Sequence, residues 1–343
     1  MPSDFHMMPM ARQMSTLLAA ICRVISVMRW GVRLHAAGVA DSLIPGETVA
    51  LRGRMNTVFQ TTVGCERLLS GCGLGDLDAV FRWHQGERLD KPGLEPWRQR
   101  WRIALGHQAS AAEVLYLKRF LNPPLKRQCA RWLEGNWRLS TAGIEWRNAQ
   151  DLAAAGIPAA EAVAFGQEMM GPWERRSFVV LRAVEGTSLE KWVPRYLSRT
   201  SAGADDQHRR ERIDRLARFV AEFHRAGFVH RDLYLSHVFL EPQIGKPGES
   251  QCEGYRLIDL QRVFRPRWRL CRWVVKDLAA LHYSTPADCV TTTERLRFLA
   301  RYVRCCTRFG SARRLAAKVH AKTRNMLGRR RKVVAAESSG PGR

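Results

Sequence analysis

Between residues 213 and 240 the chain runs through a long amphipathic helix, a polar loop and a short apolar strand in immediate succession. Ile213, Leu216, Ala217, Val220, Phe223 and Gly227 recur at helical spacing, which puts them on one inner face. Val229 leads into His230-Arg231-Asp232-Leu233-Tyr234-Leu235-Ser236-His237, and Val238-Phe239-Leu240 closes the loop. A loop gripped by a buried helix at one end and a buried strand at the other is held rigid, as a reacting carboxylate requires. Asp232 is the candidate carboxylate, and only its surroundings separate it from a chance His-Arg-Asp.

Those surroundings are strand-rich before the helix and helix-rich after it. Residues 101–105 and 114–120 alternate as two strands of a hairpin, with Lys118 near the end of the second and Asn122-Pro123-Pro124 stopping it. A helix is expected at 144–155, with Glu145, Asn148, Leu152 and Ala155 on one face. Ser140 or Thr141 would cap it, and Gly156-Ile157-Pro158 would end it. Residues 163–165 and 178–181 read as further strands. Two short strands at 238–240 and 255–260 flank a Gly/Pro/Ser-rich turn, and helices are expected at 273–283, 294–305 and 311–327. This segregation predicts an α+β protein of two lobes with a cleft between them. Gly71-Cys72-Gly73-Leu74-Gly75 lacks the spacing and the preceding strand of a nucleotide loop and reads as a flexible linker.

The chemistry-bearing residues follow one order. Lys118 on a strand comes first, then Glu145 on the next helix, the loop around Asp232, and Asp259 in Ile258-Asp259-Leu260 at a strand end. Protein kinases use this order. Their lysine reaches the nucleotide phosphates, their glutamate braces the lysine, one Asp accepts the proton of the acceptor hydroxyl, and another holds Mg²⁺. His237 stands five residues after Asp232, where kinases place a metal-binding Asn. Asp259 stands for the Asp-Phe-Gly element with neither Phe nor Gly after it. Gly106 and the small residues to Ala112 are expected to form the loop over the phosphates, with one glycine where kinases have three. Each residue also has a plain structural explanation, a surface lysine or a helix-end acid. The four in order favour the kinase-like fold. His224, His230 and His237, spaced by six and seven, share no helical face and do not read as a zinc site.

Charge narrows the partners. The chain carries 56 Lys and Arg against 32 Asp and Glu, a formal +24 in 343 residues. Residues 301–343 hold 13 basic residues and one acid, Glu337, so half of the excess sits there. Such a surface attracts polyanions or an anionic membrane, or is simply a solvated tail; composition does not choose. Arg262, Arg265, Arg267, Arg269, Arg272 and Lys276 follow Asp259 closely and read either as a solvated face or as an anion-binding rim. Nine cysteines with no C-x-x-C pair fit reduced thiols in a cytoplasmic protein. Residues 15–28 are apolar but short and interrupted by Arg23, so neither a membrane span nor a signal peptide is expected.

His230-Arg231-Asp232, Tyr234 and His237 resemble the catalytic loop of the lipopolysaccharide core heptose kinases of the Kdo/WaaP family. Residues 116–120, Glu145 with Gly156-Ile157-Pro158, Ile258-Asp259, and Lys276-Asp277-Leu278-Ala279-Ala280-Leu281 are similar to that family, and the likeness runs from about residue 79 to about residue 302. The resemblance implies a protein-kinase-like fold with a small β-rich N-lobe and a larger helical C-lobe. It also implies ATP and Mg²⁺ as cofactors, and phosphorylation of a sugar hydroxyl on an anionic lipopolysaccharide-core glycolipid at the cytoplasmic face of the inner membrane. Asp232 would be the base within the catalytic loop that His230 and Arg231 begin. Lys118, Glu145 and Gly106 would serve ATP, and Asp259 and His237 the metal. The expected organisation is an N-terminal extension at 1–77, an N-lobe at 78–184, a C-lobe at 185–327 and a basic tail at 328–343. The alternatives are a kinase acting on a protein hydroxyl and a basic pseudokinase-like binding module. Nucleic acid is not expected as a partner, and the sequence does not fix the oligomeric state.

Overall fold

The computed structural model describes residues 55–89, 95–105, 113–197, 206–241 and 254–338. All of them belong to a unit spanning Gly53–Arg343. The apolar segment at 15–28 lies outside the described residues.

The first lobe is one antiparallel sheet. In chain order it contains β1 (Met55–Thr61), two short helices α1 (Glu66–Gly71) and α2 (Leu77–Arg82), β2 (Glu87–Arg88), β3 (Arg98–Leu105) and β4 (Glu113–Leu121). The helices α3 (Leu125–Leu133) and α4 (Thr141–Ala154) follow, then β5 (Ala162–Met170) and β6 (Trp173–Arg182). The strands lie in the order β1-β5-β6-β4-β3-β2. Alternation decides the two faces. On β3 and β4, Trp101, Ile103, Leu115 and Leu117 are buried on the outer face beneath Leu69, Leu74, Leu77 and Val80. The opposite face carries Arg98, Arg100, Tyr116 and Lys118 towards α4 and the cleft, with Lys118 opposite Arg100 in the register.

Among the described residues the lobe therefore reaches back to Met55, ahead of residue 78. β1 pairs with β5 along its whole length, from Met55 opposite Met170 to Thr61 opposite Ala164. The glycine-rich stretch is a packed turn rather than a linker. Leu74 is fully buried, its N–H donates to the Leu69 carbonyl at 2.8 Å, and Trp83 Nε1 donates to the Cys72 carbonyl at 2.9 Å. One buried leucine stabilises by about 1.5–3 kcal/mol, enough to fix a turn that glycines alone would leave loose.

α4 forms as its sequence predicts. The Ser140 side chain accepts from Gly143 N–H at 3.0 Å as the N-cap. Gly156, at φ +69°, takes the left-handed turn past the end, and Ile157 N–H returns to the Leu152 carbonyl.

The second lobe starts with β7 (Thr187–Ser188) and α5 (Leu189–Tyr196), then α6 (Asp206–Arg225), β8 (Val238–Glu241) and β9 (Gly254–Leu257). α7 (Leu270–Ser284), α8 (Thr292–Cys305) and α9 (Ala312–Ser338) complete it. The three short strands form a second sheet, β7-β8-β9. The inner face of α6 buries Ala217, Val220 and Phe223 in the main core with Phe228, Leu233 and Leu278. The basic segment after residue 327 is not a separate tail at its start: α9 runs through Gly328 to Ser338. Lys- and Arg-rich sequence has good helix propensity, and one glycine weakens a helix without stopping it.

Candidate active site

The loop after α6 is fixed from three sides. Val229 forms a backbone bridge with Phe264, donating at 3.0 Å and accepting at 3.1 Å. His230 N–H donates to Asp277 Oδ2 at 2.6 Å, and its Nε2–H donates to the Ile258 carbonyl at 3.0 Å. Burial pushes the His230 ring below the ordinary histidine value, which suits a neutral ring with one donor. His224 lies behind it on Tyr302 at 2.9 Å and on Asp277 at 3.4 Å. Arg231 adopts φ +68°, and its guanidinium leaves the loop for Glu134 at 2.6 Å, resting over Phe264 and Trp273. His230 and Arg231 are thus anchors of the loop, and neither touches the Asp232 carboxylate.

Asp232 is left reaching outward. Its carbonyl accepts from Tyr234 N–H at 2.8 Å and from His237 Nδ1–H at 2.7 Å, which closes the turn. Its carboxylate meets Arg262 Nη1 at 2.5 Å. His237 stacks on His230 with centroids 5.6 Å apart, and its Nε2 lies 3.8 Å from Asp259 Oδ2.

Asp259 is the meeting point of the two lobes. Lys118 Nζ donates to Glu145 Oε1 at 2.6 Å and to Asp259 Oδ1 at 3.1 Å. Glu145 is fully buried. Losing one partner of such a buried pair leaves an uncompensated charge, a cost of about 3–5 kcal/mol. The Lys118 ammonium holds the Asp259 carboxyl far below the usual carboxylate range, against the burial that would raise it. Burial would lower the lysine in turn, but Glu145 and Asp259 outweigh it and raise Lys118 above its ordinary value. Both groups are therefore charged at neutral pH.

Four residues spread over some 140 positions come together as their order predicts: Lys118, Glu145, the loop of Asp232, and Asp259. Gly106 lies outside the described residues. The strand ends flanking it, Leu105 and Glu113, pair with each other at the end of the hairpin remote from Lys118. The end of β3 that reaches the cleft is Arg98, whose Nη2 donates to Gln261 Oε1 at 3.1 Å. The register, which composition does not reveal, thus puts the strand ends that flank Gly106 at the end of the hairpin remote from Lys118.

Three contributors were not singled out as site residues from the sequence. Asn148 Nδ2 donates to the carbonyls of Leu260 at 2.8 Å and Val263 at 2.7 Å, tying α4 to the Asp259 segment. Arg98 and Arg100 line the cleft face of β3; their period-two spacing was the available signal. The basic rim is partly anchored. Arg262 is on Asp232, Arg265 lies 4.1 Å over the Phe228 ring, and Lys276 lies beside Trp273. Burial and the neighbouring Arg262 push the Lys276 ammonium down.

The model of the lipopolysaccharide kinase (Kdo/WaaP) family matches residues 95–302, well over half of the chain. The chain belongs to this family. It is 33% identical over 161 residues to the lipopolysaccharide core heptose(I) kinase WaaP of Pseudomonas aeruginosa, covering 47% of this chain and 58% of that one. It is 31% identical over 195 residues to the Escherichia coli protein of the same name, covering 56% and 71%. The match thus spans less than two thirds of the Pseudomonas relative. A solved structure described as WaaP in complex with acyl carrier protein superposes with a TM-score of 0.57 at 25% identity, over 78% of this chain and 98% of that one. The arrangement expected from the sequence, a sheet lobe followed by a helical lobe, is present and is shared with the WaaP structure. All four chemistry-bearing residues fall inside the matched region.

Proposed function

We propose that this protein is an ATP-dependent kinase that phosphorylates a sugar hydroxyl of an anionic, lipopolysaccharide-core-type glycolipid. The observation that carries this reading is the Lys118 ammonium held between Glu145 and Asp259, at 2.6 and 3.1 Å, beside the loop that presents Asp232. A lysine so braced is a fixed positive charge for nucleotide phosphates. Asp232 accepts the proton of the attacking hydroxyl, and its position is set by the His230 and His237 hydrogen bonds behind it.

The donor set at Asp259 fits Mg²⁺. This hard ion takes one or two carboxylates and completes its shell with phosphate oxygens and water. Asp259 is ionised, and His237, whose Nδ1–H donates to the Asp232 carbonyl, places its Nε2 3.8 Å from Asp259 Oδ2. Asp259 would be the direct ligand and His237 its neighbour, and the ion would neutralise charge on the transferred phosphoryl group.

Asp232→Asn tests the reading. With labelled ATP and isolated core glycolipid, transfer should fall by roughly 10²–10⁴ while ATP affinity stays. Wild-type turnover in this variant would remove Asp232 from the role.

An acyl carrier protein is a second partner worth testing, since a similar structure is described with one. Supporting it is a cavity of about 790 Å³ in the helical lobe, lined by Trp192, Val193, Leu216, Leu281, Phe298 and Leu299 among others. Such an apolar volume suits a hydrocarbon chain. Co-purification of an acylated carrier, lost on Leu281→Arg, would support the partnership. Among the described residues no helix is long and apolar enough to cross a membrane. Contact with the inner membrane surface would rest on the arginines from Arg262 to Arg272 and on the exposed Trp268 between them.

A further inference from the structure

Arg100 lies on the cleft face of β3 among other cations. It is the cross-strand partner of Lys118, and side chains paired in this way share a face about 4.5–5.5 Å apart at Cβ. Like charges directly opposite are destabilising. Arg98, two residues earlier on the same face, adds a third cation. Its guanidinium is close enough to Arg100 to be pushed down by it, after burial itself. The available carboxylates are already engaged, Glu145 and Asp259 both by Lys118. Among the described residues the Arg100 side chain makes no hydrogen bond or ion pair, its carbonyl alone accepting from Leu89 N–H at 2.8 Å outside the ladder, and the Nε of Arg98 is buried without a partner. Arg102, the next residue on this face, is paired with Glu87 at 3.5 Å. The strand therefore neutralises the arginine remote from the cleft and leaves open the one beside Lys118.

We propose that Arg100, backed by Arg98, is a ligand of the donor nucleotide's phosphates, so that an arginine-bearing strand supplies phosphate contacts next to Lys118. This assignment rests on the kinase reading and adds a residue to its donor site. A guanidinium presents parallel N–H groups that match phosphate oxygens in pairs, which an ammonium cannot do. Lys118 is fixed by two carboxylates and acts as a point charge; Arg100 has its donors free. A tetraanionic triphosphate entering this corner turns a repulsive cluster into an attractive one. The interaction should grow with the number of phosphates and be absent for the nucleoside.

The experiment is isothermal titration of the full chain with Mg·ATP, ADP and adenosine. Arg100→Ala should weaken Mg·ATP binding by about tenfold or more and ADP by less, and leave adenosine unchanged. Arg100→Lys should recover part of the loss, and Arg102→Ala should match wild type. Arg100→Gln keeps an unbranched polar side chain, though a shorter one, and gives the same comparison if the alanine variant melts early. ATP affinity in both Arg100→Ala and Arg100→Gln equal to wild type overturns the assignment alone, as does an equal loss for adenosine. A wild-type protein that binds no ATP overturns the kinase reading instead. In that case tripolyphosphate binding that Arg100→Gln abolishes would still support an anion site here, and its persistence in the variant would remove it.

Discussion

The side chain of Asn148 should matter out of proportion to its size. It lies on α4 one turn after Glu145 and donates to two backbone carbonyls of the segment that follows Asp259, at 2.8 and 2.7 Å. In Asn148→Leu the shape is nearly kept and both donors are lost. The Leu260 carbonyl retains the Val263 N–H at 3.1 Å, so the orphan is chiefly the Val263 carbonyl. A net hydrogen bond contributes about 0.5–1.5 kcal/mol, and an unsatisfied buried carbonyl costs about 1–3. One of each gives roughly 2–4 kcal/mol. At about 2–4 °C per kcal/mol for a large domain, the melting midpoint should fall by roughly 4–16 °C.

A second readout separates this tie from general packing. If Asn148 holds α4 against the cleft, its loss should slacken Glu145 and hence Lys118, so ATP affinity in the folded variant should fall as well. Asn148→Asp keeps the volume but replaces the donor by acceptors facing acceptors, and should melt no later than the leucine variant. Thermal scanning with and without Mg·ATP measures both effects. A melting midpoint within 1 °C of wild type, or an Asn148→Asp variant as stable as wild type, would refute the assigned donor geometry.

Asp259→Ala should abolish the Mg²⁺ dependence of ATP binding, read by titration at fixed nucleotide, whereas Lys118→Ala should weaken binding without removing that dependence. Leu74→Ala should destabilise by about 2–4 kcal/mol in urea unfolding because the side chain is fully buried; a flexible linker there would show no change. Gly186→Ala should fold poorly, since φ is +92° and an added Cβ would run into the Leu240 carbonyl; soluble yield and melting midpoint report it. Burial pushes His282, like His230, below the ordinary histidine value of 6.5. The unfolded chain then binds protons that the folded protein refuses, so the stability these rings contribute is whole above about pH 6.5 and is lost as pH falls below it. His282→Gln should flatten part of that slope, and an unchanged profile from pH 7 to 5 would contradict the shift.

The catalytic loop was legible because its helix, polar turn and strand are neighbours in sequence, each with a clear period. The pairing of Lys118 with Glu145 was legible as order along the chain. What stayed hidden depends on register and on distant partners. β1 is an edge strand whose partner, β5, lies about 100 residues further on, so nothing local marked residues 55–61 as part of the lobe. Leu74 was concealed by its glycine neighbours, because its burial is decided by α2 and the sheet above it. Gly106 looked suitable by composition, yet only the pairing of Leu105 with Glu113 tells which end of the hairpin faces the cleft.

Residues 258–263 explain why neither Phe nor Gly is needed after the metal-side aspartate. The positions in this stretch hold several different parts of the molecule. Ile258 accepts from His230 and donates to the His237 carbonyl, both at 3.0 Å. Asp259 takes Lys118, Leu260 and Val263 take Asn148, Gln261 takes Arg98, and Arg262 takes Asp232. The turn itself is made by Asp259 at φ +57°, a left-handed conformation that costs a non-glycine residue roughly 1–2 kcal/mol. That cost is small beside the contacts the turn permits, and it is lowest for Asp and Asn among residues with a side chain. Placing the strain on the aspartate aims its carboxylate between Lys118 and His237 and at the same time sends Leu260 into the core, where it is fully buried. In this chain, therefore, the residue that makes the turn is the residue that carries the charge, and a glycine beside it would have nothing left to do.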